Sequence, residues 1–201
     1  MKTKNKAIVL AVMIFLGFSI TEINAQNAET KGKTTFSVET DPSTFAFGGY
    51  AFHFRIKPAS SKHLLLGAGT YAMNYPDFLI GLNTKNKDKG WDVRIKSAYA
   101  AFGEYYFKEA NSKWFLGLQA GIQNYKISNS ATTDTHSTYS NLLIMPSLGY
   151  NWQPFSFPLY LKPWMGFGYT TKIKGSNNIN ELEYNIAPLV PFVTLHLGYT
   201  F

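Results

Sequence analysis

The sequence predicts an all-β chain: an eight-stranded closed antiparallel transmembrane β-barrel preceded by a cleavable signal peptide. Three observations predict it. From Lys31 onward, apolar residues alternate with polar or small ones, which is the period of a strand, and no helical period of useful length interrupts them. The connections sort into short turns and longer loops that fall at opposite ends of the array. The first residues read as an export signal.

That signal is MKTKNKAIVLAVMIFLGFSITEINAQ. Lys2, Lys4 and Lys6 form a positive n-region, Ala7 to Ile20 is an apolar run of 14 residues, and small Ala25 precedes the cut. The run is short for a membrane-spanning helix. Residues 1–25 are therefore assigned to a signal peptide and 26–201 to the barrel domain.

The elements follow in order. Strand one is expected over Lys33 to Thr40, with Phe36 and Val38 outward, and ends at the turn Thr40-Asp41-Pro42-Ser43. Strand two, Thr44 to Lys57, sets Tyr50, Phe52, Phe54 and Ile56 against Gly49, Ala51, His53 and Arg55. Strand three, Lys62 to Met73, has ambiguous faces because Leu64, Leu65 and Leu66 are consecutive. Strand four, Gly90 to Phe107, is expected to turn Trp91, Val93, Ile95, Tyr99, Ala101, Tyr105 and Phe107 outward and Asp92, Arg94, Lys96 and Glu104 inward. Strand five, Lys113 to Ile127, sets Trp114, Leu116, Leu118 and Ile122 against Gln119, Gly121 and Gln123. Strand six, Tyr139 to Trp152, sets Leu142, Ile144, Leu148 and Tyr150 against Asn141, Ser147, Gly149 and Asn151. Strand seven, Leu159 to Ile173, sets Leu161, Met165, Phe167 and Tyr169 against Lys162, Gly166, Gly168, Thr170 and Lys172. Strand eight, Tyr184 to Phe201, puts Val193, Leu195, Leu197, Tyr199 and Phe201 on one face and Thr194, His196, Gly198 and Thr200 on the other.

Turns at Pro58, Lys108 and Gln153 fall at one end, and the connections at Thr40, Asn74, Ser128 and Lys174 at the other. Aromatics gather near the turn end: Tyr105, Tyr106, Phe107, Trp114, Phe115, Tyr150, Trp152, Phe155, Phe157 and Tyr160. Closure requires the first strand to pair with the last, because an open edge is not tolerated in a bilayer.

Composition agrees. Mean hydropathy is only −0.13, as expected when a strand is apolar at alternate positions alone. Aromatics make up 16% of the chain and suit interfacial belts, while its 16 Gly residues suit a narrow interior. There is no Cys, which excludes disulfides, thiolate metal sites and Cys nucleophiles. Net charge is +7 and falls to +5 once Lys2, Lys4, Lys6 and Glu22 leave with the signal. A basic exported surface suits anionic lipopolysaccharide; without a basic helix, nucleic acid is not an expected partner.

Residues 26–201 resemble the small Gram-negative outer-membrane β-barrel proteins of the OmpA and OmpX type, grouped as porin-family or outer-membrane-barrel-domain proteins. Signal peptide, strand count, loop sorting and the aromatic Phe201 carry the resemblance. It implies residence in the cell outer membrane among lipid and lipopolysaccharide. It also implies an assembly signal in the last strand, on Leu197, Tyr199 and Phe201, read by the barrel assembly machinery. One barrel hosts many functions, so a function must come from particular residues.

The inward polar set is His53, Arg55, Asp92, Arg94, Lys96, Glu104, Lys162 and Lys172. Eight strands leave an interior just wide enough for side chains, so these groups are expected to pair as a network that fills the lumen; the alternative is a selectivity lining. A lipid-A-modifying enzyme would need His beside a nucleophile. In the lipid-A deacylase pattern Ser follows His by two positions, but here Arg55, Leu65, Thr138 and Gly198 stand there. Four scattered His give no metal-ligand spacing, and no phosphate loop occurs. Catalytic residues, cofactors and metals are therefore not expected. The segment Tyr75 to Leu82 is apolar for a loop, and reads as a ligand gate, a partner patch or a cover folded over the barrel mouth. Lys85, Lys87 and Lys89 beside it are candidate lipopolysaccharide contacts, with a solvated charge run as the alternative. The leading expectation is a non-enzymatic barrel with a structural or surface-interaction role. The alternatives are passage of small or hydrophobic solutes, and a lipid-A-modifying enzyme.

Overall fold

Alternation becomes strands throughout the computed structural model, which describes residues 32–132 and 135–201. The expected signal peptide, residues 1–25, lies outside the described residues. The elements are β1 (Thr35–Thr40), α1 (Pro42–Ala46), β2 (Tyr50–Lys57), β3 (Leu64–Asn74), α2 (Asp77–Ile80), β4 (Trp91–Tyr106), β5 (Lys113–Asn129), β6 (His136–Asn151), β7 (Leu159–Gly175), the hairpin β8 (Asn178–Ile179) and β9 (Leu182–Glu183), and β10 (Leu189–Thr200). Eight of them form a closed antiparallel ring in the order β1-β10-β7-β6-β5-β4-β3-β2. The ring closes as expected, with Ser37 opposite Thr200 and Thr40 opposite Leu197.

The expected turn after Thr40 is a short helix instead. Asp41 caps it, accepting from the Ser43 N–H at 2.9 Å, and Pro42 stands where its missing N–H costs nothing. Strand two therefore begins at Tyr50 rather than Thr44. Gly48, at φ +66°, turns the chain between helix and strand. The ambiguity in β3 resolves cleanly: Leu65 is fully buried, while Leu64 and Leu66 face outward.

The outer wall is apolar. Phe52, Phe54, Leu116, Met165, Phe167 and Leu195 are all exposed on it. At the turn end, Tyr105, Phe107, Trp114, Trp152, Phe155 and Phe157 form an exposed aromatic rim. Three residues expected in that rim are not there. Tyr106, Phe115 and Tyr160 are buried inside, because neighbours along a strand cannot share a face. Phe201 follows β10 and is exposed; its N–H bonds the Phe36 carbonyl at 2.8 Å and its ring meets Tyr199 at 5.1 Å.

The main correction concerns β4. Ile95 pairs with Tyr125 and Ser97 with Asn124, so β4 carries one extra residue at Lys96. The pairing with β3 shifts at the same place. Such a bulge reverses the facing of everything before it. Trp91, Val93 and Ile95 therefore point inward and are buried, while Asp92 and Lys96 are exposed and Arg94 is half-exposed. Beyond the bulge the expected facing holds: Tyr99 and Tyr105 are exposed and Glu104 is buried.

This reversal divides the interior. Toward the loop end, Trp91, Val93, Ile95, Tyr125, Ile127 and Tyr139 form an apolar core. The segment after β3 folds over it: Leu79 and Ile80 are buried, and Asn86 is tied to Asn185 by bonds of 2.7 and 2.9 Å. Toward the turn end the interior is ionic.

The bulge is testable. Deleting Lys96 restores a plain strand, which takes Trp91, Val93 and Ile95 out of the apolar core and turns the charged Asp92 and Arg94 into it. The deletion is expected to abolish refolding in detergent, seen as loss of the compact fast-migrating band in unheated electrophoresis. Lys96→Ala, which keeps the residue count, should refold normally.

Candidate functional site: the barrel interior

Five strands send charged or imidazole side chains into the turn-end half of the lumen: Glu39 from β1, Arg55 and His53 from β2, Glu104 from β4, Lys162 from β7 and His196 from β10. The register explains the meeting. Glu39 is opposite His53 on one side and Gly198 on the other, and His196 is opposite Lys162.

Arg55 is the centre and is fully buried. Its Nη1 donates to Glu39 Oε1 and, at 3.2 Å, to the Tyr160 hydroxyl. Its Nη2 donates to Glu104 Oε2 and, at 3.2 Å, to the Tyr106 hydroxyl. Those hydroxyls donate onward, Tyr160 to Glu39 at 2.7 Å and Tyr106 to Glu104 at 2.8 Å. Lys162 Nζ closes the ring, 2.8 Å from Glu39 Oε2 and 3.0 Å from Glu104 Oε1. His196 Nδ1 lies 3.0 Å from Glu39 Oε2, and the His53 ring stacks on His196 at 4.8 Å. Each carboxylate thus faces two cations and a phenol, the pairing that buried charge requires.

Space for the ring comes from glycine. A Cβ at Gly198 would stand 2.3 Å from Tyr160 Cζ, and one at Gly69 would stand 2.1 Å from His53 Cδ2. These side chains occupy the volume that a neighbouring strand leaves empty.

The structure places the expected lumen set as follows. His53, Arg55, Glu104 and Lys162 come together in the interior. Asp92, Arg94 and Lys96 do not, because of the bulge; Asp92 accepts from Ser128 at 3.4 Å on the outside, and Arg94 donates to Asn74 and Gly48. Lys172 is on the exposed loop-end extension of β7, donating to Asn177. Sequence reasoning missed Glu39 altogether and left His196 out of the network. The signal was present for both: Glu39 alternates with Phe36 and Val38, and His196 with Leu195 and Leu197.

Glu39, His53 and His196 each offer a ligand atom within 4.8 Å of the others. Both Glu39 oxygens are already engaged, however, one by Arg55 and Tyr160 and the other by Lys162 and His196. A cation there would have to displace the Lys162 ammonium.

Above the ring lies a cavity of about 290 Å³, lined chiefly by apolar side chains including Ala51, Tyr71, Met73, Met145 and Phe192. Its floor holds His53, Trp164, Gln119 and His196. Trp164 Nε1 and His53 Nδ1 are buried without a partner among the described residues. Among the loops over the mouth, burial pushes the Tyr184 phenol up to about 12, so it remains neutral beside Trp91 at 5.5 Å. Lys85, Lys87 and Lys89 are exposed on the loop-end surface, beside exposed Phe78.

No family model matches this sequence, and no curated protein does. Solved structures of similar architecture include a major outer membrane protein from Thermus thermophilus, at 12% identity and TM-score 0.49, covering 84% of this chain and 100% of that one. The N-terminal β-barrel domain of Pseudomonas aeruginosa OprF follows at 13% identity and TM-score 0.39, covering 84% and 96%. Neisserial surface protein A is similar at 12% identity and TM-score 0.40, again covering 84% and 96%. The closed eight-strand ring itself is read from this chain's own pairing.

Arg55→Met leaves Glu39 and Glu104 buried with one of their two cations gone. The expected loss is about 3–5 kcal/mol, measured as the urea midpoint of the refolded barrel in detergent. Adding Glu104→Gln to that variant should recover part of the loss, since it removes one stranded charge.

Proposed function

We propose that this chain is an integral outer-membrane β-barrel protein with a structural or surface-interaction role, its lumen closed to solutes by the Arg55 ring. The apolar outer wall and the aromatic rim support residence in a bilayer: Phe52, Phe54 and Phe167 are more than half exposed and have no reason to face water. An antiparallel ring with no open sheet edge around its turn end meets the demand that hydrocarbon places on backbone groups.

The observation that carries the closed lumen is the ring itself. Charges from β1, β2, β4 and β7 meet across the interior with Arg55 fully buried between them. A conducting pore would keep those charges hydrated. Surface interaction is supported at the opposite end, where Lys85, Lys87 and Lys89 stand exposed and favour anionic headgroups such as those of lipopolysaccharide. No enzyme is proposed, since the ring's carboxylates and cations are committed to one another.

Three measurements test the reading. Expressed in a Gram-negative host, the protein should sediment with outer-membrane vesicles. In a planar bilayer the refolded barrel should show no stepwise conductance, whereas Arg55→Ala, if it inserts, should open small steps. Steady conductance from the unaltered chain would reject the closed lumen. Replacing Lys85, Lys87 and Lys89 with Gln should weaken binding to lipopolysaccharide micelles at low salt and leave insertion unchanged.

A further inference from the structure

The barrel wall is incomplete on one side. β10 pairs with β7 over its whole length, from Leu189 to Tyr199. On its other edge β1 covers only Leu197 to Thr200. Pro42 follows Asp41 and ends β1, so the edge of β10 over residues 189–196 has no strand beside it among the described residues. Pro191, which lacks an N–H, sits in that stretch, as proline in sheets is confined to edges. α1 stands in the gap, held to β10 by side chains alone: Ser43 and Thr194 hydroxyls lie 3.2 Å apart, and Thr194 donates to Asp41 at 2.9 Å.

The cavity of about 290 Å³ reaches this gap. Its lining includes Tyr71 and Met145 from the interior together with Pro191 and Val193 from the outer wall. Val193 is 79% exposed. The same lining takes in Ser43 and Thr44 of α1 and Thr194 of β10, the two sides of the gap, and reaches Pro76, Phe78 and Leu79 of the loop-end cover. The gap between α1 and β10 therefore borders the cavity, closed by side chains rather than by a strand.

We propose that this cavity binds a neutral single-chain amphiphile that enters sideways from the lipid phase between α1 and β10. The proposal rests on the reading that the barrel lies in a bilayer. The apolar lining fits a hydrocarbon chain, and the size is near that of ordinary small-molecule sites. The floor specifies the head. Trp164 and His53 line it, and Trp164 Nε1 and His53 Nδ1 are buried without a partner among the described residues, so an oxygen that reaches either nitrogen satisfies a group that otherwise costs energy. The head is uncharged because the neighbourhood already holds an excess of acid. Among the described residues the lining holds Asp41 and no lysine or arginine, while Arg55 and Lys162 are committed to Glu39 and Glu104, so a carboxylate would be a buried negative charge without a cation.

The test uses bromine quenching of tryptophan fluorescence in the refolded full chain. One version retains only Trp164 and another only Trp114, with Phe at the other three tryptophans. The probe is 2-bromododecanol, with bromine beside the hydroxyl; 2-bromododecanoate is its charged counterpart. The alcohol should quench Trp164 saturably and be displaced by plain dodecanol, and the acid should bind about tenfold more weakly. The chain has no native Cys, so Ser43→Cys with Thr194→Cys can lock α1 to β10. Oxidation should slow the onset of quenching about tenfold and reduction should restore it, as for any step gated by an opening. Unsaturable quenching, equal rates in the locked and open forms, or equal binding of acid and alcohol would overturn the proposal. Brominated phospholipid should quench the version retaining Trp114 in either case; its failure would instead reject the bilayer reading. Should the tryptophan variants not refold, dodecanol carrying a diazirine can be photolysed with the unaltered protein. Label on Met73, Met145 or Phe192 supports the site, and label confined to the outer wall rejects it.

Discussion

The interior depends on one buried guanidinium. Arg55 sits between Glu39 and Glu104, and with it gone the two carboxylates would share a space of low polarity with only Lys162 between them. Coulomb attraction at these separations is large where water is absent, but it must first offset the cost of stripping water from each ion. Two phenols complete the shell by donating to the carboxylates. The ring joins β1 and β2 to β4 and β7 across the lumen, so it also reports that the barrel has closed in the correct register.

The other half of the interior obeys a different rule. There the lumen is filled by aromatic and branched side chains, and the agent of change is a single extra residue in β4. A bulge costs one unpaired position and reverses a whole strand segment. It lets the same strand contribute Glu104 to the ionic half and Val93 and Ile95 to the apolar half. The loop-end cover, with Leu79 and Ile80 beneath it, extends that apolar core past the ends of the strands.

Between the two halves lies the cavity, where neither rule is fully met. The carboxylates below are paired and the apolar groups above are packed, but Trp164 and His53 keep unpaired nitrogens at the junction. At the same height the wall thins because β1 is short and β10 is long. Unsatisfied polar atoms, an apolar void and an unpaired strand edge would each destabilise a barrel built only for stability. Their coincidence marks the part of the molecule least explained by folding alone.

Alternation by itself determined the strands, because period two needs no knowledge of distant residues; the short turns determined their antiparallel order, and the cost of an open edge in a bilayer determined the closing pair. It also determined which residues share a face: Phe36 with Val38 and therefore Glu39 against them, Leu195 with Leu197 and therefore His196 against them. What it left open was which face turns inward wherever both faces are plausible. In β4, Trp91, Val93 and Ile95 suit a lipid face as well as an apolar core, so their sequence carries no sign of the bulge that turns them inward. The length mismatch between β1 and β10 was visible in Pro42, but its consequence was not, since an edge is exposed only once the neighbouring strand fails to reach it. Partner choice inside the lumen was likewise decided by the tertiary structure. Arg55 meets Glu104 because barrel closure fixes distances across the interior, and no spacing along the chain encodes those distances; Asp92 is left outside by the bulge.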